Sequence, residues 1–86
     1  MKAPKVAPAS EAQARFLASI WGGFHQTVPI GDGYVDPTVK RCVLNGWIVP
    51  TYKKGKFPSG KPYVEHILSE AGLRALARYL AKRYAP

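Results

Sequence analysis

The stretch Asp36-Pro37-Thr38-Val39-Lys40-Arg41-Cys42-Val43-Leu44-Asn45-Gly46, running on through Trp47 to Leu68-Ser69-Glu70-Ala71-Gly72, decides how this chain is read. Asp36 before Pro37 marks a helix start: the carboxylate accepts an exposed amide hydrogen, and proline is preorganised for the first helical position. Gly46 marks the stop. Between them Val39, Cys42 and Val43 fall at the i, i+3, i+4 spacing of a core-facing stripe, while Thr38, Lys40, Arg41 and Asn45 point elsewhere. The position of Leu44, beside the polar face, leaves its role open between packing on the next element and contacting a partner.

Beyond Gly46, Trp47-Ile48-Val49-Pro50-Thr51-Tyr52 has the aromatic and β-branched content of a strand, with Pro50 arguing for an edge. A second strand is expected over Tyr63-Val64-Glu65-His66-Ile67, with His66 packed or hydrogen-bonded. Lys53 to Pro62 joins the two, and its Lys53, Lys54, Lys56 and Lys61, with two glycines and two prolines, suit a long exposed tip. A final helix from Ser69 to Tyr84 carries Leu73, Leu76, Ala77, Leu80 and Tyr84 at helical spacing. Arg74, Arg78 and Lys82 recur every four residues on a neighbouring face. Such a ridge suits phosphate contact and equally suits a solvated face that complements the helix C-terminus.

Working toward the N-terminus, the pattern is less regular. Tyr34-Val35 reads as a brief extended piece that adds to a sheet edge, Asp32-Gly33 as a turn, and the region around His25 to Ile30 as a short turn of helix. Ahead of it a helix is expected from Ser10 to Trp21, with Ser10 as N-cap, Gln13 at the third helical position, and Gly22-Gly23 as its end. Residues 1–9 have no apolar period and read as a mobile basic tail, leaving one α+β domain over 10–86.

The net charge of +8 is lopsided. Through residue 39, Lys2, Lys5 and Arg15 balance Glu11, Asp32 and Asp36; beyond it ten lysines and arginines face only Glu65 and Glu70. A field of this kind favours a polyanion, nucleic acid first. Cys42 is the only cysteine, which excludes an intrachain disulfide and a cysteine-based zinc cluster, and its place on the apolar stripe suits a small buried residue. Five scattered carboxylates offer no paired acids, and no nucleophile elbow, phosphate loop or zinc motif is present, so neither an enzyme nor a cofactor is expected. With no run near the roughly 20 apolar residues of a membrane span and no apolar leader after Lys2 and Lys5, the expected location is the cytoplasm.

The pattern of Thr38-Val39, Cys42, Gly46-Trp47-Ile48, a basic loop, then Leu68-Ser69-Glu70-Ala71-Gly72 with Leu76, resembles the winged helix-turn-helix domains of the multiple-antibiotic-resistance-regulator (MarR-like) type. It is similar also to the small free-standing winged-helix proteins of bacterial and phage genomes. The resemblance covers residues 36 to 76. It implies a small winged helix with two to three helices, a β-hairpin wing and a C-terminal helix, binding duplex DNA as a transcription regulator or a phage-type control or architectural protein. The recognition helix would be 36–45, with Thr38, Lys40 and Arg41 toward the groove, and the wing 52–63, with Lys53, Lys54, Lys56 and Lys61. Asn45, Arg74 and Arg78 complete the expected DNA contacts. Cys42 stands where that family usually has leucine, residues 24–35 are short for a full second helix, and the long terminal helices through which such regulators dimerise are missing. Only the last helix remains for a weak homodimer. Two other readings stand beside DNA: a protein-docking module, suggested by Tyr52, Phe57 and Tyr63 among the lysines, and RNA binding.

Overall fold

A computed structural model describes residues 7–22, 27–31 and 34–84. The elements run α1 (Glu11–Trp21), β1 (Thr27–Gly31), α2 (Pro37–Leu44), β2 (Ile48–Lys56), β3 (Pro62–Leu68) and α3 (Glu70–Arg83), a small α+β fold of three helices and one antiparallel sheet. Strand order is β1-β3-β2, so the last strand lies in the middle, with β1 and β2 as edges. No helix among the described residues is long and apolar enough to cross a membrane.

α1 begins as its sequence dictates. The Ser10 hydroxyl accepts from the Gln13 amide at 3.2 Å, and the Gln13 side chain accepts from the Ser10 amide at 2.9 Å. This reciprocal box satisfies two of the amides a helix start leaves open. The inward face, Ala14, Leu17 and Ile20, packs with Ile30, Cys42, Trp47, Ile48 and Leu76 into one core. Burying a side chain such as Leu17 or Ile48 contributes roughly 1.5–3 kcal/mol, so the few positions that are fully enclosed carry much of the stability of so short a chain.

β1 corrects two sequence expectations. Thr27 to Gly31 is a strand, not a turn of helix, and Tyr34-Val35 lies outside the sheet. Val28 and Ile30 alternate inward, and Pro29 is tolerated because β1 is an edge strand. Tyr34 instead takes a left-handed backbone, φ 45°, a conformation that costs a residue with a Cβ about 1–2 kcal/mol. Its hydroxyl lies 3.1 Å from His66 Nε2, and the two rings meet edge to face with centroids 5.7 Å apart. His66, 1% exposed in the central strand, has Nδ1 2.9 Å from the Val64 carbonyl. A carbonyl only accepts, so Nδ1 carries the proton and Nε2 accepts from Tyr34. This pair ties the segment before α2 to β3. Asp32-Gly33 and His25 lie outside the described residues, and no described residue between β1 and α2 is helical.

The hairpin also differs from expectation. β2 extends through Lys56, so Lys53, Lys54 and Lys56 are strand residues and only Phe57 to Lys61 form the tip. The reason is a bulge and an aromatic cover. Pro50 pairs with His66 and Lys54 with Val64, so Thr51, Tyr52 and Lys53 together face Glu65 alone. Past the bulge the Tyr63 ring lies over Gly55, where a Cβ would meet Tyr63 Cε1 at 3.0 Å. Glycine there lets the aromatic ring seal a lysine-rich strand of low intrinsic preference.

In the last helix, Gly72 and Leu76 are buried and Ala75 and Tyr79 pack beside them, whereas Leu73 and Leu80 stay 42% exposed and Tyr84 more so. The expected apolar stripe is therefore split. One flank reaches the core, and the flank carrying Leu73, Ala77, Leu80 and Tyr84 remains at the surface. Within the expected tail 1–9, Ala9 packs against the core; residues 1–6 lie outside the described part.

Candidate nucleic-acid interface

α2 is held at both ends by groups its own sequence supplies. Asp36 Oδ1 accepts from the Thr38 amide at 2.8 Å and from the Val39 amide at 3.4 Å. At the other end Gly46, φ 72°, turns the chain while its amide donates to the Val43 carbonyl and the Trp47 amide to the Cys42 carbonyl, each at 3.0 Å. Those paired bonds form the Schellman stop that a left-handed glycine permits. The Ser69 hydroxyl then donates to the Gly46 carbonyl at 2.5 Å and accepts from the Gly72 amide at 3.0 Å, while the Ser69 amide donates to the Trp47 carbonyl at 2.9 Å. One serine thus caps α3 and clamps the end of α2 to it.

With Cys42 inward, the outward face of α2 carries Pro37, Lys40, Arg41 and Leu44; Thr38 and Asn45 lie half-buried on the flanks. Leu44, whose role the sequence left open, is 65% exposed. Burial pushes the Cys42 thiol up from 9.0 to about 11, with the Asp36 carboxylate adding to the shift. The thiol stays protonated at neutral pH and serves as core.

Register places the hairpin lysines. Cα partners in an antiparallel sheet share a face, and successive residues alternate. Lys54 aligns with Val64 and buried Ile30, and Lys56 with Pro62, so both project on the sheet side that carries His66 and Ile48, the side on which the helices pack. Lys53 sits in the bulge and Lys61 in the tip, both exposed. Phe57 and Tyr63 are half-buried against each other at 4.9 Å and so offer a partner less than expected, while Tyr52, at the bulge, is fully exposed.

Of the expected DNA contacts, Asn45, Arg74 and Arg78 line a groove of about 780 Å³ with Lys82, whereas Thr38, Lys40, Arg41 and the hairpin lysines lie outside it. Trp47, Ala71, Ala75 and Tyr79 lie between these polar residues, and the segment 7–9 walls one side. Arg74 is paired with Glu70 at 2.5 Å. The groove was missed from sequence because it depends on where residues 7–9 pack, although the i, i+4 spacing of Ala71 and Ala75 beside the cations was a usable signal. No family model, curated protein or solved structure matches the chain.

Proposed function

We propose that this chain is a non-enzymatic DNA-binding protein built as an abbreviated winged helix-turn-helix, with α2 as recognition helix and the β2–β3 hairpin as wing. The observation that carries this reading is the placement of Lys40 and Arg41 on the outward face of α2 while Lys54 and Lys56 extend the helix-bearing side of the sheet. The order helix, edge strand, capped helix, hairpin and closing helix, with the last strand central in β1-β3-β2, supports this reading.

A helix of this width enters a major groove, where lysine or arginine donates to guanine O6 and N7. Exposed Leu44, between Lys40 and Arg41 on that face, suits a thymine methyl. The hairpin lysines then neutralise flanking phosphates, releasing counterions and making affinity fall with salt. Eight residues of recognition helix read few bases, so a single copy binds weakly, as a cytoplasmic, nucleoid-associated regulator or architectural protein. Selection from a random duplex pool at low salt tests this: enrichment of a short motif supports it, and the absence of any retained duplex rejects it. The groove beside α3 favours a protein contact there in addition to duplex binding, not in place of it.

A further inference from the structure

Three surface features lie apart from the α2 and hairpin lysines. The outer sheet face exposes Val49 and Ile67, one flank of α3 exposes Leu73 and Leu80, and the opposite flank forms the groove with residues 7–9 and the end of α2. Of these three, the groove combines an apolar floor, a wall and, among its described lining residues, three cations.

We propose that this groove receives an acidic amphipathic helix from a partner protein. The floor is Trp47, Ala71, Ala75 and Tyr79, with the alanines opening the space that larger side chains would fill. Its rim carries Arg74, Arg78 and Lys82, and no carboxylate lines it among the described residues. Residues four apart on a helix are about 6 Å apart along the axis, so the cations form a row of about 12 Å. A row of that length exceeds what one small anion bridges, and it matches carboxylates repeated every fourth residue on a helix lying along α3. Apolar side chains on the same face of that helix would cover the alanines and Tyr79, giving the helix-in-groove mode of recognition. Duplex phosphates would engage the cations but leave the floor uncovered. Because Arg74 is already paired with Glu70, Arg78 and Lys82 supply most of the attraction. The inference does not depend on DNA binding, since Lys40, Arg41 and the hairpin lysines take no part in the groove.

The test uses the full chain and a fluorescein-labelled peptide of about 18 residues with glutamate at every fourth position beside a leucine stripe. A scrambled peptide of the same composition is the control, both followed by anisotropy at low salt. The amphipathic peptide is expected to bind in the micromolar range and the scrambled one much more weakly. Arg78→Glu and Ala71→Glu, both at exposed positions, are each expected to weaken binding at least about tenfold, while the Lys40→Ala, Arg41→Ala double variant binds as wild type. Amide shift changes on binding should centre on Ala71, Ala75, Tyr79 and the Trp47 indole. Equal binding of the scrambled peptide, no binding of either, or shifts centred on α2 or the hairpin would overturn the proposal. If Arg78→Glu instead removes duplex binding and the wild type ignores the peptide, the face belongs to DNA. Loss of duplex binding in the Lys40, Arg41 double variant with peptide binding intact separates this inference from the DNA reading.

Discussion

Gly72 packs against the carbonyl of Trp47: a Cβ at position 72 would overlap its oxygen and lie 2.9 Å from its carbon and 2.8 Å from Leu68 Cδ1. The Leu68 methyl can swing aside, but the Trp47 atoms belong to the backbone turn that ends α2 and have little room to give. Gly72→Ala is therefore expected to cost at least about 2 kcal/mol despite its better helix propensity, read as a fall in the urea midpoint. A variant as stable as wild type would show that α3 does not seat on Trp47 this closely.

Tyr34 and His66 give a second stability test. Removing the Tyr34 hydroxyl leaves Nε2 of a buried imidazole without its donor, and an unsatisfied buried acceptor costs about 1–3 kcal/mol. Tyr34→Phe should lower stability by that amount while keeping the ring contact. An unchanged unfolding curve would mean that His66 finds another partner.

Cys42 links stability to alkaline pH. Its folded value of about 11 exceeds the ordinary 9.0, so between those values the unfolded chain has lost a proton that the folded chain retains. Stability should fall as pH rises through this window, by up to about 1.4 kcal/mol per pH unit from this group. Cys42→Ala should show a shallower decline between pH 9 and 11 than wild type, and a thiol reagent at neutral pH should react only as the chain unfolds. Rapid labelling of the folded chain would contradict this placement.

The hairpin lysines should act on affinity without acting on sequence choice. Lys54→Ala with Lys56→Ala is expected to weaken binding to all duplexes alike and to reduce the slope of log affinity against log salt by about two. A changed base preference, with the slope untouched, would move these residues from phosphate to base contact.

How far the chain was legible follows from where its signals lie. α2 and the start of α1 were readable because Asp36, Pro37, Gly46, Ser10 and Gln13 act on backbone groups a few residues away. β1 was not, because Pro29 and Gly31 look like breakers until the sheet order makes β1 an edge. The hairpin tip was drawn too long because Lys53-Lys54-Gly55-Lys56 has poor strand preference, and only the cross-strand cover of Tyr63 over Gly55 reveals why it pairs. At the candidate site, the charges of Lys40 and Arg41 and their outward face were visible from periodicity. The separation of Asn45, Arg74 and Arg78 into a different groove was not, since it depends on how α3 and residues 7–9 meet the end of α2.

The central claim is that α2 reads duplex DNA. Anisotropy titrations of labelled duplex at low and moderate salt, with wild type and the Lys40→Ala, Arg41→Ala double variant, test it most directly. Both side chains are exposed, so the double variant should melt as wild type does. Wild type should bind with an affinity that falls steeply with salt, and the double variant should lose at least about tenfold. No duplex affinity at low salt, or equal affinity in the two proteins, would contradict the account.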